Sequence, residues 1–203
     1  FDFETNFIHH LSSPHPYRRK DNQSEEEFCD EKVKEFEDKI LEIGPNKVAA
    51  FIAEPILASG GCIVHPKNYL KKFWEICKKY DVLYISDEVV TGFGRLGHFF
   101  SSEKEFGIIP DIITTAKGIT SGYIPLGAVL ISDALIKNIS KESSLFFHGY
   151  TYSGHPASCA AALKNIEIIK RDKILEHVKE VGPYFQKELK KLYEIPIVGD
   201  GRG

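Results

Sequence analysis

Lys117 stands in "IITTAKGITSG", residues 112–122, behind an apolar run and among small neighbours: Thr114, Thr115, Ala116, Gly118, Thr120, Ser121 and Gly122. A solubilising lysine needs no such setting, because its ammonium reaches water on a flexible stem. An amine at the end of a buried strand, with glycines that let another group approach the backbone, is placed to work as a nucleophile or proton carrier. Two carboxylates hold comparable positions: Glu54 closes "FIAE", and Asp87, followed by Glu88, closes "VLYISDE". A carboxylate after a strand also serves as a cap or turn former, and for Glu54 taken alone that role stays open. The distinctive feature is that three separate apolar runs each end on an ionisable group.

An amine opposite an aspartate suits pyridoxal phosphate. That cofactor needs a lysine to hold its aldehyde as a Schiff base, a carboxylate to keep its pyridine nitrogen protonated, and donors for its phosphate. Lys117, Asp87 and a hydroxyl-rich loop supply these parts, and their separation of thirty residues lets them lie on different strands. A competing motif follows Asp87: Gly92, Gly94 and Gly97 in "GFGRLG" match the GxGxxG letters of dinucleotide-binding turns. That fingerprint must open a long helix and be answered by an acidic residue about 20 residues on. Here "HFFSSEKEFGIIPD" offers only a short helix before a proline, so a structural turn explains the glycines better.

The elements that must position these groups alternate. Residues 21–42 place Phe28, Val33, Phe36, Ile40 and Leu41 at helical spacing among charges, and "GPNK" stops the pattern. "VAAFIAEP" has the continuous apolar character of a strand covered on both faces. "PKNYLKKFWEICKKYD" is a helix with Leu70, Phe73, Trp74, Ile76 and Cys77 on one side. "VLYISDEVV", "DIITTA" and "GAVLIS" are further strands, "DALIKNI" a helix, and residues 155–193 two helices or a kinked pair broken near Gly182 and Pro183. The expected fold class is α/β, a mostly parallel sheet wrapped by helices, with binding sites at the carboxyl ends of the strands.

Composition narrows the function. With 203 residues, 42% hydrophobic, the chain can bury a core. A net charge of −3 gives no field for nucleic acid or anionic lipid. Cys29, Cys62, Cys77 and Cys159 are widely spaced, as reduced thiols of a cytoplasmic protein would be. His9, His10 and His15 lack metal-ligand spacing, so no metal is expected. No stretch approaches the ~18 apolar residues of a membrane span. The abrupt "FDFETNF" and the absence of methionine read as a piece of a longer chain.

"FIAEPILASGG", "YDVLYISDEVVTGFGRLG", "PDIITTAKGITSGYIPLGAV" and "FFHGYTYSGHPASCAAAL", in that order, closely resemble the class III aminotransferases, pyridoxal-phosphate enzymes of fold type I, nearest to the omega-amino acid:pyruvate type. The resemblance is clearest over residues 45–203. It implies that Lys117 is the Schiff-base lysine, Asp87 the partner of the pyridine nitrogen, and Val89 the aliphatic residue on the ring face. It further implies that Thr151 is a phosphate ligand given to the neighbouring subunit of a homodimer with shared sites, and that Glu54 is an acidic residue beside the cofactor. Val90 stands where many relatives carry glutamine, which points away from the ornithine and aminobutyrate branch.

The activity implied is transfer of an amino group from a small-molecule amine or amino acid to a 2-oxo acid, with pyruvate the expected acceptor. An aminomutase or decarboxylase on the same scaffold, or a catalytically dead structural homologue, are the alternatives. By the same resemblance residues 1–192 are the central and later part of the cofactor-binding large domain, and 193–203 begin a C-terminal small domain.

Overall fold

The computed structural model describes residues 6–140 and 147–203. Helix α1, Glu25–Ile43, opens on a capping box: Ser24 Oγ accepts the Glu27 N–H at 3.1 Å and the Glu27 carboxylate accepts the Ser24 N–H at 2.8 Å. It stops at Gly44, whose φ of 98° a side chain would resist. Phe28, Cys29, Phe36 and Ile40 are its buried stripe. Leu41, expected in that stripe, is 53% exposed. It follows Ile40 by about 100° of helical rotation and so points away from the core.

Strand β1 (Ala50–Ala53), helix α2 (Tyr69–Lys79), strand β2 (Leu83–Asp87), helix α3 (Ser101–Phe106) and strand β3 (Ile112–Thr115) follow in order. After them come strand β4 (Ala128–Ile131) and helices α4 (Asp133–Ser140), α5 (Pro156–Arg171) and α6 (Ile174–Lys190). The sheet runs β1-β2-β3-β4; the first three strands are parallel and β4 is antiparallel to β3. The mostly parallel α/β expectation is met, and the exception has a simple cause. β1 to β2 and β2 to β3 are joined through helices, whereas β3 reaches β4 through one short 3-10 turn, enough only for an antiparallel return.

The core lies between one sheet face and α1 and α2. Phe36 stacks on Phe73 with ring centroids 4.6 Å apart, and Phe51 of β1 bridges Phe73 and Tyr84 at 5.2 and 5.4 Å. Offset aromatic contacts of this kind add to the burial of each ring. On the opposite face Ile52 is 59% and Val129 62% exposed. The expectation of a β1 covered on both faces therefore fails among the described residues, because its helices pack on one side only.

The break between the last helices also differs from expectation. It falls at Asp172–Lys173, with Lys173 left-handed at φ 51°, and α6 runs on through Gly182 and Pro183. A proline costs its helix one N–H donor, but the flanking turns hold the helix together here. No helix among the described residues is long and apolar enough to cross a membrane. All four cysteines carry free thiols.

Candidate active site

Register decides which residues meet. Ala53 pairs with Ser86, and Asp87 with Thr114, so the carboxyl ends of β1, β2 and β3 emerge at one edge. Glu54, the Asp87–Val89 segment and Lys117 all leave the sheet there. Asp87 is the last residue of β2. Its Oδ1 accepts the Val89 N–H at 3.0 Å, a local turn that fixes both the carboxylate and the position of Val89. Oδ2 has no protein donor among the described residues. Thr114, paired with Asp87 and therefore on the same face of the sheet, buries a hydroxyl that has no hydrogen-bond partner among the described residues.

Lys117 opens a single 3-10 turn, Lys117–Thr120, two residues beyond β3. Its backbone is left-handed at φ 42°, and Ser121 at the other end is left-handed at φ 50°. A non-glycine residue held in such a region costs about 1–3 kcal/mol and persists only where its surroundings over-determine it. The side chain is exposed, not sunk at the end of a buried strand, and among the described residues it makes no ion pair or hydrogen bond. Its small neighbours serve internal packing. A Cβ on Gly118 would lie 2.9 Å from Phe93 Cβ and 3.1 Å from the Gly92 carbonyl oxygen, so the group that approaches this backbone is the turn after β2.

That turn is the glycine motif. Phe93, Gly94 and Gly97 have φ of 61°, 117° and 76°, and Phe93 N–H donates to Phe99 O at 2.8 Å. The helix that follows is the six-residue α3, which begins at Ser101, so the glycines open no long helix and the structural reading holds. A Cβ on Gly94 would meet Leu175 at 3.2 Å and one on Gly97 would meet Lys179 at 2.6 Å, so α6 presses directly on the turn.

Glu88 is wholly buried and is a support that sequence reasoning left aside. Its Oε2 accepts from Ser101 N–H at 2.9 Å, Ser101 Oγ at 2.8 Å and Thr91 Oγ1 at 3.1 Å, while Oε1 accepts from Ser102 N–H at 2.9 Å and from Ser102 Oγ. One carboxylate thus satisfies the opening donors of α3 and ties that helix to the end of β2. The Ser101–Ser102 pair at a short helix start was its only signal. A second unforeseen support, Asn165 of α5, touches the lysine turn directly.

Glu54 lies at the shared edge, but its carboxylate accepts the Ala58 N–H at 3.2 Å and closes a local turn. Its backbone carbonyl accepts from His65 Nε2 at 2.9 Å, which fixes the tautomer of that ring. Thr151 stands apart. It is exposed in the turn leading to α5, which is closed by Ser153 N–H to Tyr150 O at 2.9 Å, and among the described residues no hydrogen bond joins it to the lysine edge. Phe147, Tyr150 and Tyr152 beside it are 94%, 79% and 80% exposed, so they form no local core; Phe146 lies outside the described residues.

Comparison with known proteins gives the chain its family. The family pattern described as Aminotransferase class-III matches residues 2–203. The putrescine–pyruvate aminotransferase of Pseudomonas aeruginosa is 46% identical over 203 residues, all of this chain and 44% of its own length. The chloroplastic gamma aminobutyrate transaminase 3 of Solanum lycopersicum is 45% identical over 207 residues, all of this chain and 40% of its own. The latter likeness runs against the expectation that Val90 sets the chain apart from the aminobutyrate branch. The crystal structure of the Pseudomonas jessenii omega transaminase in complex with PMP superposes with a TM-score of 0.93 at 41% identity, over all of this chain and 46% of that one. The chain spans less than half the length of these relatives. A match to the family pattern over residues 2–203, close identity and a shared fold lead to one statement: the chain belongs to the class III aminotransferases, a family that uses pyridoxal phosphate.

Proposed function

We propose that the protein is a pyridoxal-phosphate-dependent aminotransferase that moves an amino group from an amine or amino acid to a 2-oxo acid, with pyruvate as acceptor. One observation carries the reading: Asp87 and Lys117, which has no partner among the described residues, leave adjacent parallel strands at the same edge. The putrescine–pyruvate name of a 46% identical relative supports the choice of acceptor.

The residues fit the cofactor by their chemistry. Among the described residues Lys117 offers an amine without a protein partner, Asp87 an oxygen without a protein donor, and Thr114 a buried hydroxyl of the kind that a bound polar group satisfies. When bound, pyridoxal phosphate supplies an electron sink for the charge left as a proton leaves the substrate carbon. Lys117 Nζ would hold the aldehyde and, as a free amine, could carry that proton as general base and then general acid. Asp87 would keep the pyridine nitrogen protonated, and Val89, set by the Asp87 turn, would pack on the ring face. Thr151 would bind phosphate in the site of a second subunit of a homodimer. Glu54 is an edge neighbour whose carboxylate is engaged in its own turn. Residues 1–192 belong to the cofactor domain and 193–203 begin the small domain. The free thiols suit a reducing cytoplasm.

Two half-reactions at one site give ping-pong kinetics. The test is made on the full-length protein. Borohydride should abolish a near-visible absorbance band, leave a reduced adduct on Lys117, and destroy conversion of pyruvate to alanine with an amine donor; Lys117→Ala should lower turnover by several orders of magnitude. Active protein in which Lys117 stays unlabelled overturns the assignment, and release of carbon dioxide without amino transfer would mark a decarboxylase.

A further inference from the structure

The turn that carries Lys117 is weakly held by its own backbone. Its main-chain bonds lie at or just past the upper end of the ordinary range: Ile119 N–H to Ala116 O at 3.1 Å, Ser121 N–H to Gly118 O at 3.2 Å and Gly122 N–H to Lys117 O at 3.3 Å. Yet it keeps Lys117 and Ser121 left-handed, a conformation that needs outside support. On one side Gly118 rests against Phe93 and the Gly92 carbonyl. On the other stands Asn165, in the middle of α5.

Asn165 Nδ2 donates to the carbonyl oxygens of Gly118 at 2.8 Å and Ile119 at 3.1 Å, while Asn165 Oδ1 accepts from Ser121 Oγ at 2.7 Å. Carbonyl oxygens only accept, so both must face the amide nitrogen. The Ser121 hydroxyl then completes the set by donating to the remaining oxygen. Three bonds from one side chain span the turn from the residue after Lys117 to the residue that ends it. This is a clamp, and it acts on the turn that Lys117 itself opens, immediately after the exposed amine.

We propose that Asn165 is a positioning residue for Lys117: it holds the 118–121 turn against the Gly92–Phe93 turn and so fixes the direction in which the Lys117 side chain leaves the sheet edge. The role rests on the reading of Lys117 as the cofactor-bearing amine. Asn165 touches neither substrate nor cofactor; it acts through the backbone from which Lys117 hangs. Because α5 starts five residues after Thr151, the same helix joins the lysine turn to the exposed segment proposed to serve the second subunit.

The test uses full-length holoenzyme carrying Asn165→Ala, Asn165→Asp or Ser121→Ala, with Lys164→Ala as a control on the exposed face of the same helix. Asn165→Asp keeps the shape and sets acceptors against acceptors, so it should be at least as harmful as alanine. Expected for both Asn165 variants is faster amide hydrogen exchange confined to residues 117–122. A kcat about 10- to 100-fold lower with little change in KM should accompany it, the scale of loss from an ångström-sized misplacement of a reacting group. Ser121→Ala keeps both Nδ2 donors but frees the amide to turn, and should show the same pattern in weaker form; it decides the matter if the Asn165 variants do not fold. Wild-type exchange and wild-type kcat in the folded variants, with the wild-type adduct still on Lys117, overturn the proposal and leave the lysine assignment standing. An adduct absent from Lys117 in the wild type removes the assignment and the proposal together.

Discussion

Asp87 and Glu88 are adjacent carboxylates with opposite surroundings. Asp87 has one oxygen tied to Val89 N–H and one without a protein donor, whereas both oxygens of Glu88 are filled by five donors from Thr91, Ser101 and Ser102. Asp87→Asn should therefore leave folding nearly intact and slow the chemical step about a thousandfold, the loss expected when a preorganised charge is removed. Glu88→Gln should do the reverse. Its amide nitrogen must face two or three donors, which costs about 2–4 kcal/mol of stability by loss of charge-assisted bonds and burial of unmet donors. Urea midpoints and single-turnover rates on the two variants separate these effects; equal losses of turnover at equal stability would mean that the wrong carboxylate is assigned. At this scale the sequence was informative where a pattern is local. An apolar run that ends on Asp87 or on Ala116–Lys117 is visible in a few letters. The partners of Glu88 and Asn165 were not visible, because Ser101 lies thirteen residues away and the carbonyls that Asn165 holds lie 46 and 47 away and have no side-chain identity.

Among elements, the joint between β1 and α2 carries a titratable group. His65 donates through Nε2 to Glu54 O at the end of β1 and stacks on Tyr69, the first residue of α2, with centroids 4.8 Å apart. Burial pulls its imidazole below the ordinary 6.5, and the bond to Glu54 only partly opposes this. With the folded value depressed, the unfolded chain binds the proton first. The stability due to neutral His65 is then full above about pH 6.5 and declines as pH falls toward the lower folded value. A plot of unfolding midpoint against pH should steepen below 6.5 in the wild type and flatten in His65→Gln; parallel curves would show that the ring does not titrate on unfolding. Helix and strand identities were legible here because periodicity and caps are local, as in the Ser24–Glu27 box of α1. The joint between α5 and α6 was not. It turns on a left-handed lysine, Lys173, where neither glycine nor asparagine announces a stop, while the conspicuous Gly182–Pro183 pair is absorbed within α6.

For the whole molecule, α5 links the lysine turn to the segment proposed to serve a second subunit. Its N-terminal side follows Thr151 and the exposed rings of Phe147, Tyr150 and Tyr152, aromatic residues of the kind enriched where subunits meet. Its middle holds the Lys117 turn of its own subunit. In a two-fold dimer, with Thr151 serving the partner's phosphate, each subunit would contribute one lysine and one threonine to different sites. Thr151→Ala removes one hydrogen bond to a charged group, worth about 1.5–3 kcal/mol, and should weaken cofactor affinity by roughly ten- to a hundredfold while leaving turnover at saturation largely intact. Mixed dimers of full-length Thr151→Ala and Lys117→Ala subunits distinguish the arrangements. If sites are shared, one site of the heterodimer carries both lesions and the other carries neither, so about half of wild-type activity should return at low cofactor concentration. If Thr151 serves its own subunit, one site lacks its lysine, the other its threonine, and activity at low cofactor stays down; that result would break the cross-subunit assignment and leave the roles of Lys117 and Asp87 untouched.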